Sequence, residues 1–258
     1  MQWPYRMEIN VVSALVVVQI LSLACALMIT PADPTTVEGG AGIGASVLFF
    51  VLILITSGVL ILIIKRGLSR YLYRITEYIA LFFIPLFMVA SITGLLIAGL
   101  GAGGVCVAIR TFIRRREATI ALSFVLAVSI ATILGITFSP VPIIILLALL
   151  SLYDFIAVKK TKHMLVLAED VIKRKGPQIL TFESGKEKIM IGLADLIFPS
   201  ALFVSAYLDS TAAIAALTGI GSVAGMILLL NSPMDEGMPA IPFVSLGGVG
   251  YIVGVLLL

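Results

Sequence analysis

Charge is scarce in this chain: only 12% of its 258 residues are Asp, Glu, Lys or Arg. A soluble domain carries about 25%, so a water-facing surface of this size is excluded. Histidine and tryptophan occur once each and cysteine twice. Cys25 and Cys106 fall in different apolar segments, with no second Cys or His at metal-ligand spacing. Neither a disulfide framework nor a zinc site is expected, and both cysteines read as packing residues. His163 stands alone in a basic loop and reads as solvated. The net charge of +3 is no nucleic-acid footprint, because in so apolar a chain the place of each charge matters more than the sum.

What fills the sequence is apolar: 60% of its residues by count, with a mean hydropathy of +1.19. Such a chain takes the bilayer as its solvent, and at about 20 residues per helical span its length allows roughly eight or nine spans. Clear apolar runs lie at 9–30, 42–64, 118–138, 141–158, 189–208, 210–230 and 238–258. The 35 residues of 75–109 form either one over-long helix or two short ones joined near Ser91 to Gly94.

Charge decides between them. The seventeen Lys and Arg occur as Arg6; Lys65, Arg66, Arg70 and Arg74; Arg110, Arg114, Arg115 and Arg116; and eight residues between Lys159 and Lys188. Two helices in 75–109 put every cluster on one side of the membrane, as the positive-inside rule asks; one helix splits them. The expected fold is therefore all-α, with nine transmembrane helices, the N-terminus cytoplasmic and the C-terminus outside. The outer loops, near Asp33 and Glu38, Ser139 to Pro142, and Asp209, carry no basic residue. One transmembrane domain is expected over 1–258, comprising a five-helix scaffold (1–138) and a four-helix C-terminal portion (139–258). Ala24-Cys25-Ala26 resembles a signal-peptide cleavage site, but the run before it is long for an h-region and is read as a retained span.

Gly99-Leu100-Gly101-Ala102-Gly103-Gly104 fits the GxGxxG spacing of dinucleotide loops. That loop needs a preceding strand and an acid about 20 residues on, whereas here it lies inside the fourth span with arginines following. Close helix packing by small residues explains it better, as it does Gly221/Gly225 and Gly250/Gly254.

Two aspartates interrupt the apolar runs. Asp154 precedes Lys159 by five residues and Asp195 follows Lys188 by seven, placing them roughly 7–8 Å and 10 Å below the inner charged boundary in helical geometry. A carboxylate at membrane depth costs roughly 2.5–3.5 kcal/mol on insertion scales and is a functional-site hypothesis by default. Antiparallel neighbouring helices bring the two acids face to face, where they share a proton and titrate as a pair. An aspartyl-protease dyad works this way, with no metal or cofactor. Helix caps or cross-helix bonds, and a proton or cation relay in a transporter, are the other readings. Pro199 supplies no amide to the carbonyl of Asp195 and so either frees an acceptor beside the acid or simply kinks the helix.

Tyr153-Asp154 in the sixth span, Gly192-Leu193-Ala194-Asp195 in the seventh and Pro239-Ala240-Ile241 entering the ninth resemble the YD, GxGD and PAL motifs of the presenilin and signal peptide peptidase family of intramembrane aspartyl proteases. The resemblance covers the whole chain. It implies Asp154 and Asp195 as catalytic residues, and Tyr153, Gly192, Leu193, Ala194, Pro239, Ala240 and Ile241 as the substrate-binding wall. Ala194 stands where the family has Gly, and Ile241 where it has Leu. The implied activity is hydrolysis of peptide bonds within single-span transmembrane segments near the cytoplasmic face, with no cofactor and no obligatory protein partner. The compact size is most similar to archaeal members, implying a prokaryotic cell membrane. Prepilin-type GxGD peptidases fit less well, having fewer spans and a differently placed first acid.

Two further segments carry expectations. Gln178-Ile179-Leu180-Thr181-Phe182 has β-favouring residues and suits strand addition to an unwound substrate; a disordered loop is the alternative. Met164 to Lys175 is either an amphipathic, lipid-facing stretch or a solvated loop.

Overall fold

In the computed structural model of the chain, residues 5–29, 42–65, 69–113, 115–156, 176–184, 187–232 and 239–258 are described. The outer loop with Asp33 and Glu38, His163, and the stretch Met164 to Lys175 lie outside them. The described helices are α1 (Tyr5–Ile29), α2 (Ile43–Lys65), α3 (Ser69–Thr93), α4 (Leu96–Phe112), α5 (Arg116–Thr137), α6 (Pro140–Ile156), α7 (Ala194–Asp209), α8 (Ala212–Asn231), α9 (Ile241–Val244) and α10 (Leu246–Leu257). The last two belong to one apolar segment, interrupted at Ser245. Helices dominate because each satisfies its own amides and carbonyls where lipid offers no partner. By length and apolarity four of the described helices qualify to cross a membrane: Met7–Ile29, Arg74–Thr93, Arg116–Thr137 and Ala212–Asn231.

The ambiguous run resolves as two helices. Gly94 separates α3 from α4 and, alone among the described glycines, has a left-handed backbone, with φ of 69°. Its amide still closes on the carbonyl of Ala90 at 2.9 Å, after which the chain turns back. A Cβ is disfavoured in that region by about 1–2 kcal/mol. Gly94→Ala is therefore expected to lower stability by about 1 kcal/mol, read by thermal unfolding in detergent, although nothing lies within 4 Å of the position to clash.

Packing follows the small residues. Gly99 and Gly103 of α4 lie against the backbone carbonyls of Leu86 and Phe82 on α3, so the GxGxxG spacing is a helix-packing seam. Gly221 and Gly225 of α8 receive the backbone of Leu246 and Phe243, and Gly250 of α10 receives that of Leu217. Polar bonds add to this seam packing: Thr132 Oγ1 donates to the Ser22 carbonyl at 3.1 Å, and Ser22 Oγ to that of Val128 at 3.3 Å. The centre is built from α1, α5, α7 and α8, where Leu15, Val18, Ala127, Leu196 and Met226 are fully buried. The outside is apolar: Ile97 and Phe112 are 84% and 83% exposed, a surface suited to acyl chains. Cys106 joins the buried core, and both cysteines are unpaired.

One element corrects the all-α expectation. Residues Ile179–Ser184 (β1) and Glu187–Gly192 (β2) form an antiparallel hairpin, paired from Ile179 with Gly192 to Ser184 with Glu187. The run 189–208 is thus not one helix: its first four residues are strand, and α7 begins only at Ala194. Leu180, Ile189 and Ile191 are buried on one hairpin face, and Met190 on the other is exposed. That two-residue alternation takes one side of an apolar strand into the core, and an apolar count cannot distinguish it from a helix.

Candidate active site

Asp154 lies near the end of α6, 5% exposed and flanked by half-buried Tyr153. Its carboxyl accepts hydrogen bonds from the backbone amides of Ala240 and Ile241. Those amides are available because Ala240 caps the short helix α9 and Ile241 is its first residue, where amides lack an intrahelical acceptor. Pro242, next in the chain, has no amide to offer. Pro239 and Ile241 are buried and Ala240 is half-buried, so the motif meets the acid through its backbone.

Asp195 is half-buried in the first turn of α7. The sequence places it about 10 Å along a helix from Lys188; a strand and the turn at Leu193 occupy that interval instead. The helix N-terminus favours negative charge at this position. Its carboxyl accepts the Gly192 amide, and the charges of Asp154 and Asp195 interact. A Cβ on Gly192 would come within 3.1 Å of Asp195 Oδ2, so glycine at this position leaves room for the carboxyl. Leu193 is buried, and its amide donates to the Gln178 carbonyl at 2.9 Å.

Six described elements therefore converge: α6 and α7 carry the acids, α9 supplies two amides, β2 leads into α7, β1 holds β2, and α8 backs α9 through Gly225. Among the described residues, no three of His, Cys, Asp and Glu converge as a metal site.

Residues 12–258 match the family described as signal-peptide peptidase, presenilin aspartyl protease. The chain belongs to that family. It is thus an intramembrane aspartic peptidase by class, a hydrolase, and an integral membrane protein. Two solved structures, each described as a presenilin family intramembrane aspartate protease, share its fold. One, in space group C222, is 22% identical with a TM-score of 0.68 over 97% of this chain and 98% of that one. The other, in space group P2, is 24% identical with a TM-score of 0.69 over 98% of each. No curated protein matches significantly.

Within this family member, the departure at the second motif takes on physical meaning. Ala194, in place of the family glycine, is exposed and is the first residue of α7, so the methyl meets a backbone that alanine adopts readily. Ala194→Gly is expected to lower stability by up to about 1 kcal/mol, which a melting curve checks.

The strand-addition expectation needs correction. Because the Leu193 amide bonds to the Gln178 carbonyl, Leu180 and Phe182 bond to β2 while Ile179 and Thr181 face outward. The outward carbonyl of Thr181 is already taken by Arg116 Nη2 at 2.8 Å. The outer edge of β1 is thereby blocked at its middle, and the edge that β2 presents at Met190 lies closer to Asp195 in sequence.

Sequence reasoning missed three contributors, Gln178 as acceptor and Arg116 and Ser123 against the hairpin; it marked Gly225 as a packing residue but not that α9 is what it backs. The dipeptide Gly185-Lys186 between two β-favouring runs was the available hairpin signal. The others make contacts that no local pattern encodes.

Proposed function

We propose that Asp154 and Asp195 are the catalytic dyad of this peptidase and that it hydrolyses peptide bonds inside transmembrane segments. The supporting observation is that the two carboxyls interact with each other, that of Asp154 held by the amides of Ala240 and Ile241 and that of Asp195 by the amide of Gly192. With one proton shared between the acids, the ionised carboxyl takes a proton from a water as that water attacks the scissile carbonyl carbon. The protonated partner hydrogen-bonds the carbonyl oxygen, then donates its proton to the leaving nitrogen as the C–N bond breaks. A carboxylic acid and an amine leave, and the dyad returns with one proton.

A transmembrane substrate hides its peptide groups in its own helix and must unwind before it is cut; the freed groups then need partners. The β2 edge at Met190 offers strand pairing, and Tyr153, Gly192, Leu193, Ala194, Pro239, Ala240 and Ile241 form the surrounding wall. We assign nine spans, with α9 and α10 together as the last, the N-terminus cytoplasmic and the C-terminus outside, because that arrangement places every basic cluster on one side. Cleavage then falls near the cytoplasmic face. The five N-terminal helices, over residues 1–138, serve as scaffold, and the membrane is a prokaryotic cell membrane.

The test is cleavage of a single-span reporter in detergent or liposomes, with products sized by mass spectrometry. A wild-type protein that never cuts any such reporter, yet conducts protons or cations through the same acids, would make the site a relay and end the peptidase reading.

A further inference from the structure

Resting on that reading, we propose that Ser123 and Arg116 of α5 are positioning residues that hold Asp195 in register through the β-hairpin. Ser123 is fully buried, and its Oγ donates to the Pro177 carbonyl at 2.8 Å. The same hydroxyl lies 3.0 Å from the Thr119 carbonyl of its own helix, so its single proton is shared, with the shorter contact to the hairpin lead-in. The next residue, Gln178, accepts the Leu193 amide at 2.9 Å. Leu193 caps α7, and Asp195 is two residues on. From Ser123 to the acid, the linkage runs through two hydrogen bonds and a few covalent bonds.

Arg116 supplies the second point of attachment, on the Thr181 carbonyl. Residues 116 and 123 are seven apart, so they share one face of α5 about 10 Å apart along its axis. Their acceptors, Pro177 and Thr181, lie four residues apart, one in the lead-in and one in β1. One bond would leave the hairpin free to pivot; two at this separation fix both its depth and its tilt. Both grip main-chain carbonyls, so the attachment does not depend on hairpin side chains. A Cβ on Gly176, at the start of the same lead-in, would stand 3.6 Å from Oε2 of Glu77, which is paired with Arg110 between α3 and α4. The hairpin thus rests on the helices that carry neither acid.

A one-residue slip of a strand moves it about 3.3 Å, whereas misplacement by 1 Å already costs up to about a hundredfold in rate. Loosening the attachment should therefore alter chemistry. Arg116→Ala, Ser123→Ala and the double variant are expected to cut a transmembrane reporter at additional positions and to lower kcat by about ten- to a hundredfold. Arg116→Lys, which keeps a donor, should restore most of the wild-type cleavage pattern. A merely structural role would lower the melting temperature but leave cut positions and kcat per folded enzyme unchanged, and that result overturns the proposal. If Ser123→Ala does not purify folded, the exposed Arg116 side chain carries the test. Hydrogen exchange at the Leu193 amide reads the linkage without catalysis: it should quicken about tenfold in Ser123→Ala while α8 amides stay protected. Unchanged exchange there overturns the proposal even for a wild-type protein that cuts nothing, a failure that would count against the peptidase assignment alone.

Discussion

Asp154→Asn and Asp195→Asn should each lower cleavage of a transmembrane reporter by about a thousandfold or more. Asparagine keeps the size and one oxygen of the carboxyl but cannot accept or release a proton in this range, so either change leaves one acid where the cycle needs a proton acceptor and a proton donor together. The amides of Ala240 and Ile241 bond the 154 position, and the Gly192 amide bonds the 195 position; the retained oxygen still accepts them. Both variants should consequently fold, and burial of a neutral amide in place of an acid removes a desolvation cost. Melting temperatures at or above wild type, together with lost cleavage, are expected. Full activity in either variant would refute the dyad.

Gly225→Ala should damage the enzyme from outside the site. A methyl at this position of α8 would overlap the carbonyl oxygen of Phe243 in α9. The obstacle is backbone, which has no rotamer through which to yield, so α9 must shift as a unit. Ile241 opens that helix and supplies one of the two amides held by Asp154. Overpacking of this kind costs about 1–3 kcal/mol, and the displacement removes hydrogen bonds from the buried carboxyl as well. A lower melting temperature and a clear fall in kcat are expected together. Gly101→Ala on α4 is the control, because nothing lies within 4 Å of it; it should be neutral or stabilising by up to about 1 kcal/mol. Equal behaviour of the two variants would show that the α8–α9 seam tolerates a side chain and does not set the site.

These seams show where sequence reading stops. The spacing of Gly99 and Gly103, Gly221 and Gly225, and Gly250 and Gly254 announces close packing, but not which backbone each receives. Similarly, charge clusters required a break within 75–109, and the break falls at Gly94, at the edge of the expected interval. That inference drew on the positive-inside rule, a constraint on the parity of the whole chain that no single segment carries.

Membrane class, the broken run, the two acids and the three short motifs were all present in the chain as written, because bilayer thickness, charge placement and the cost of a buried carboxylate act on each segment separately. Tertiary structure decided that 189–192 is strand, at which Gly185-Lys186 only hinted, and it alone decided that Asp195 opens its helix, that two amides from residues 240 and 241 meet Asp154, and that α5 grips the hairpin. Strand pairing and backbone-to-side-chain bonds join residues far apart in sequence, and an apolar stretch takes helix or strand according to the partner that three-dimensional packing brings to it.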